Sequence, residues 1–206
     1  MATLHSLYPS SPNSKIIRDV SKALISGALV IYPTDTVYAL GCLSSNVKGL
    51  GRLAKIKNVK VEQAPFSFLF SDMSELSVYV KQFDSSTFKL LKKTLPGPYT
   101  YIMESSKKLP KPFDRRKSIG VRISDDPILK ILLPLLPDPL ITTSLHDKDK
   151  IIDYTTDPSI IFEEWSSLID LMIETGPGGN LPSTVIDLTQ EEPALVRIGK
   201  GSVDFF

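Results

Sequence analysis

Apolar and polar positions divide this chain into short strand-like runs separated by helix-like stretches. Ala28, Leu29, Val30, Ile31 and Tyr32 form a continuous apolar run, the pattern of a buried strand. Ahead of it, Leu4 to Leu7 reads as a short edge strand ended by Pro9, Pro12 and a Ser-rich turn. Asn13 or Ser14 can cap a helix with Ile17, Val20 and Leu24 on its apolar face and Gly27 as its stop. Pro33 removes a backbone donor and should end regular pairing. The polar triplet Thr34-Asp35-Thr36 follows, immediately before a second apolar run, Val37 to Leu40. In an extended segment Thr34 and Thr36 would face one side and Asp35 the other. The triplet is either a capped strand-to-turn connection or a set of ligand contacts, since polar groups between core segments need partners. Asn46 caps a second helix with Val47, Leu50 and Ala54 on one face. Gly49 and Gly51 weaken that helix, so packing has to hold it.

Downstream, strands are predicted from Pro65 to Phe70, Tyr99 to Met103, Ser118 to Ile123, Leu140 to Leu145, Asp170 to Ile173 and Ser183 to Leu188. Helices are predicted from Glu75 to Val80, Ser86 to Thr94, Ile128 to Leu136, and from Asp157 through Trp165. Between them, Lys107 to Lys117 reads as a basic, Pro-punctuated surface loop. Strands and helices alternate, but not strictly as βαβ, and no repeat or composition shift marks a boundary. The expectation is a single α/β domain over residues 1–206, a twisted mixed sheet with flanking helices.

Composition narrows the class. The net charge of +1 gives no overall basic field, so any nucleic-acid site must be local. A lone cysteine, Cys42, excludes an intrachain disulfide and fits a reducing compartment; a small buried core residue is expected there rather than a nucleophile. No run approaches about 18 apolar residues, and the opening MATLHSLYPSS lacks the form of a signal peptide. A cytoplasmic protein without membrane partners is expected.

The candidate chemistry consists of cations and hydroxyls. Lys55 and Lys57 end the second helix, either favouring its negative dipole end or, if the backbone turns extended, forming an anion clamp around Ile56. Arg122 stands among apolar strand neighbours, which calls for a buried salt bridge or an anionic ligand. Arg197 is the fourth cation. The hydroxyls are Thr34, Thr36, Thr142, Ser144, Ser183 and Thr184. There is no paired-histidine metal site, no Cys-x-x-Cys and no nucleophile elbow; His5 and His146 read as surface or loop residues. The glycines at Gly176, Gly178 and Gly179 are not a dinucleotide fingerprint, and GKGS near the end is not a P-loop. Cations and hydroxyls without a nucleophile suit an anion, above all phosphate, and no catalytic side chain is expected.

PTDTVYALGC resembles the signature of the YrdC-like family, usually PTDTVYGLGC. The resemblance covers nearly the whole chain and is nearest the YciO-like subgroup. Lys55-Ile56-Lys57 stands where the family has K-x-R, and Leu95-Pro96-Gly97-Pro98 resembles its W-P-G-P turn. Ser118 to Ile123 is similar to V-G-V-R-x-P, Pro182-Ser183-Thr184-Val185 matches P-S-T-V, and Arg197-Ile198-Gly199 matches R-x-G. Thr142 and Ser144 occupy the slots of an S-x-N motif, so the side-chain amide is replaced; Lys57 replaces an arginine.

The resemblance implies a positively charged concave cleft. It also implies a threonylcarbamoyl-AMP synthase joining L-threonine, bicarbonate and ATP with release of pyrophosphate, for tRNA N6-threonylcarbamoyladenosine modification, with Mg²⁺ on the triphosphate. By correspondence, Thr34, Thr36, Ser183 and Thr184 would meet threonine or its carbamate. Lys55, Lys57, Arg122 and Arg197 would hold phosphates, with Thr142 and Ser144 by the nucleotide. Two other implications stand beside it. One is a YciO-like module binding double-stranded RNA or ribosomes with weak or no synthase activity; the other is a nucleotide-dependent enzyme acting on another amine or acid.

Overall fold

Each α-helix begins at a polar side chain that accepts from free backbone N–H groups, and the computed structural model, which describes residues 2–145 and 155–204, shows these caps. His146, and with it Asp147 and Lys148, lies outside the described residues. The helices are α1 (Ser14–Ile25), α2 (Val47–Ile56), α3 (Met73–Tyr79), α4 (Ser85–Thr94), α5 (Pro127–Leu132) and α6 (Pro158–Trp165). Their caps are Asn13, Asn46, Asp72, Asp84, Asp126 and Asp157 in turn. Gly27, at φ 101°, closes the first as the sequence predicts.

The strands are β1 (Thr3–Ser6), β2 (Val30–Tyr32), β3 (Ala39–Leu43), β4 (Ser67–Leu69), β5 (Tyr99–Glu104), β6 (Ser118–Arg122), β7 (Leu140–Ser144), β8 (Leu171–Glu174), β9 (Thr184–Asp187) and β10 (Ala194–Arg197). They form one mixed sheet in the order β1-β8-β2-β3-β7-β4-β6-β5-β9-β10. The β1/β8, β2/β8, β4/β6 and β5/β9 pairs are parallel and the others antiparallel. The α/β mixed sheet with flanking helices is the expected architecture. His5 sits on the edge strand β1.

Two apolar cores lie on opposite faces because strand side chains alternate. Leu29 and Ile31 enter one core while Val30 and Tyr32 enter the other; Leu40 and Cys42 part in the same way from Ala39 and Leu43. Leu50 and Leu53 of α2, Leu76 of α3, Leu91 of α4 and Ile161 of α6 fill the first core. The second takes α1, through Ile17, Val20 and Leu24, and α5, through Ile128, Leu129 and Leu132. Val47, expected on the buried face of α2, is 67% exposed; Leu53 takes its place. Gly49 allows this helix to come close, since a Cβ there would lie 3.1 Å from Cys42 Cβ. Burial pushes the Cys42 thiol up to about 12, so it is a packed core residue.

The second core stops partway across the sheet. On the same face, β7, β4, β6, β5 and β9 present Thr142, Ser67, Gly120, Thr100 and Val185, and these line a cleft. Among the described residues no helix is long and apolar enough to cross a membrane.

Candidate functional site

The cleft has a volume of about 330 Å³ and a floor set by strand register. Ser67 pairs with Thr142 on one side and with Gly120 on the other. A Cβ at Gly120 would come within 2.8 Å of Ser67 Oγ, so the missing side chain keeps the floor open.

One end is built by the loop that Pro33 releases from β2. Thr34 Oγ1 donates to the Val37 carbonyl at 2.7 Å and accepts the Thr36 N–H at 3.1 Å. Its hydroxyl proton is thus used, so Thr36 is the donor across the 2.9 Å contact between the two hydroxyls. Thr36 Oγ1 then accepts from Arg122 Nη2 at 3.1 Å. The same Nη2 donates to Asp35 Oδ1 at 3.1 Å, and Ser124 Oγ donates to that oxygen at 2.7 Å. Asp35 therefore does not point away from Thr36, as an extended segment would require. The chain bends at residues 35–37, which brings both side chains onto one guanidinium. Burial lowers the Arg122 pKa, and the Asp35 carboxylate beside it offsets part of that effect. Arg122 Nε and Asp35 Oδ2 are buried without a partner among the described residues.

Arg197 reaches the same region from β10, a strand that sequence periodicity did not predict. Its Nε and Nη2 donate to the Ser183 carbonyl at 3.1 and 2.8 Å, and Nη2 also reaches Ser183 Oγ at 3.2 Å. Ser183 Oγ lies 2.8 Å from Thr100 Oγ1 across the parallel β5/β9 pair. Thr184 is on the other side of its strand and fully buried. Its hydroxyl donates to the Gly201 carbonyl and accepts the Gly199 N–H, so it holds the C-terminal turn rather than lining the cleft.

Of the predicted site residues, the cleft gathers Thr36, Arg122, Thr142, Ser144, Ser183 and Arg197. Thr34 and Thr184 stand behind the lining. Of the two readings for the lysines, the clamp on an extended backbone is not formed, because α2 continues through Ile56 and closes at Lys57 in the helical region. Lys55 is exposed on the last turn. Lys57 Nζ donates to the Ser144 carbonyl at 2.7 Å and lies 5.8 Å from the Trp165 ring; burial lowers its pKa.

Three further residues escaped sequence reasoning. Arg116, from the segment read as a basic surface loop, lines the cleft. Lys200 Nζ donates to the Asp35 carbonyl at 2.5 Å. Ser124 fixes Asp35, and a signal for it was present: two positions after Arg122, it falls on the same side of an extended chain. Among the described residues no three histidine, cysteine or acidic side chains come together as a metal site.

The family model named for Sua5, YciO and YrdC, described as "Telomere recombination", matches residues 22–199. The uncharacterised protein YciO of Escherichia coli is 34% identical over the full length of both chains. The crystal structure of E. coli YciO superposes with a TM-score of 0.90 at 33% identity, covering 99% of this chain and 98% of that one. The threonylcarbamoyl-AMP synthase of Bos taurus is 31% identical over 85% of this chain and 64% of its own. P. abyssi Sua5, crystallised with L-threonine, superposes with a TM-score of 0.85 at 25% identity, over 96% of this chain and 58% of that one.

Proposed function

The chain belongs to the Sua5/YciO/YrdC family, and from that premise we propose that it is a threonylcarbamoyl-AMP synthase acting on L-threonine, bicarbonate and MgATP. The observation that carries this reading is the convergence of Thr36, Arg122, Ser183 and Arg197, from four separate segments, on one cleft. The threonine complex of Sua5, a structural relative, supports an amino-acid site in such a fold.

The threonine amine attacks the bicarbonate carbon; hydroxide leaves and takes an amine proton as water, which gives the carbamate. A carbamate oxygen then attacks the α-phosphorus of ATP and pyrophosphate departs. Both nucleophiles come from substrates, so the protein contributes orientation and charge neutralisation. In this reading Thr36 and Ser183 offer hydroxyls to threonine or its carbamate, with Arg122 held in place by Asp35. Thr34 and Thr184 act through their neighbours. Arg197 faces phosphate, Thr142 and Ser144 lie by the nucleotide, and Lys55 and Lys57 approach the phosphates from the end of α2. Magnesium enters as the counter-ion of the triphosphate.

Pyrophosphate release, measured with ATP and bicarbonate across a panel of amino acids, tests this reading, with mass spectrometry of the adenylate as confirmation. Release that requires threonine is the expected result. Release with another acceptor would reassign the substrate. No release with any acceptor, together with retention of double-stranded RNA, would instead make the protein an RNA-binding member of the family.

A further inference from the structure

We propose that Arg116 forms a second anion subsite at the end of the cleft remote from Arg122, and that it receives the terminal phosphates of the nucleotide; the phosphate part of this rests on the synthase reading. The guanidinium is fixed before any ligand arrives. Its Nε donates to the Glu62 carbonyl at 3.2 Å, and Nη2 donates to the carbonyls of Val61 at 3.0 Å and Ala64 at 2.6 Å. The Phe113 ring lies 4.7 Å from its central carbon. Nη1 has no acceptor among the described residues.

The two cleft arginines differ in their balance of charge. Arg122 faces the Asp35 carboxylate at 3.1 Å, so its charge is largely compensated. Arg116 is held by carbonyl oxygens and forms no ion pair among the described residues; Glu62 is the acidic side chain whose charge reaches it, without the direct contact that Asp35 makes with Arg122. A half-buried, pre-oriented guanidinium in this state gains more from an incoming anion than a neutralised or mobile one.

Position agrees with this role. Ser118 is four residues from Arg122 along β6, about 13 Å at ~3.3 Å per residue, and Arg116 lies two residues further on. Strand register places Pro65 and Ser144 at this same end, and Lys57 Nζ adds a cation at the Ser144 carbonyl. The cleft therefore suits a ligand with hydrogen-bonding groups at the Thr36 and Ser183 end and a phosphate chain by Arg116.

Calorimetry with inorganic tripolyphosphate tests the subsite on the whole protein, comparing wild type, Arg116→Gln and Arg116→Lys. Loss of one charge-assisted contact should weaken binding by roughly ten- to a hundredfold in the glutamine variant, with partial recovery in the lysine variant. Equal affinity in all three proteins would overturn the proposal. Because Arg116 also braces residues 61–64, a second measurement uses wild type alone: phenylglyoxal modification mapped by mass spectrometry, with and without tripolyphosphate. Protection at Arg116 supports the subsite, and unchanged modification sinks it. Tripolyphosphate binding requires no turnover. Arg116-dependent binding without adenylate formation would keep the subsite and reject the synthase, whereas adenylate formation with Arg116-independent binding would do the reverse.

Discussion

Arg122 and Asp35 meet at 3.1 Å in the wall of the cleft, with side chains only 9% and 10% exposed. A pair so withdrawn from water is costly to break from one side, because the remaining charge is stranded. Asp35→Asn is expected to destabilise the fold by about 3 kcal/mol in chemical denaturation. The double variant Asp35→Leu, Arg122→Met should recover most of that loss while losing ligand binding. A single variant as stable as wild type would show that the pair carries no such energy.

Asp126 gives a pH test. Burial is the main cause that pushes its carboxyl from 3.8 up to about 6, against the stabilising N–H groups of Leu129 and Ile128; the nearby Asp35 adds to the rise. Because the folded value exceeds the unfolded one, the folded protein binds this proton more tightly between about pH 4 and 6. Its contribution to stability falls as pH rises through that window and is level above it. The full effect is on the order of 3 kcal/mol. Asp126→Asn keeps the cap to Ile128 and Leu129 without the charge. It should flatten this part of the pH profile and match or exceed wild-type stability at pH 8.

Lys57 is engaged by the Ser144 carbonyl, and the S-x-N amide is absent at Ser144. Restoring both family residues should improve nucleotide binding. Lys57→Arg with Ser144→Asn is expected to raise ATP affinity roughly tenfold, the value of one added charge-assisted hydrogen bond. Calorimetry that finds no gain would show the two departures to be neutral.

Lys55 is exposed and has no partner among the described residues, so its removal should cost only about 0.3–1 kcal/mol of stability, the worth of a cation near a helix end. Lys55→Ala is expected to lower ATP affinity while melting within a few degrees of wild type. Unchanged affinity together with a lower melting temperature would make it a dipole cap alone.

Local order is legible in the sequence alone. Asn13, Asn46, Asp157 and Gly27 bound helices where caps and stops predicted, and the apolar run before Pro33 is a buried strand. These features depend on backbone groups within a few residues, so the sequence by itself determined them. It also marked Thr36 and Arg122 as polar residues beside or among apolar runs, whereas Ser183 and Arg197 stood out only through their resemblance to the family's P-S-T-V and R-x-G motifs. What it could not determine were relations across the sheet. The Arg116 guanidinium turns inward because three carbonyls from residues 61–64 reach it, and those carbonyls lie more than fifty positions away. Lys57 is claimed by Ser144 for the same kind of reason. Thr184, next to Ser183, is lost to the cleft by strand alternation once β9 pairs with β5. Which cation is neutralised and which is left for a ligand depends on contacts that strand order alone creates, and only the tertiary structure decided it.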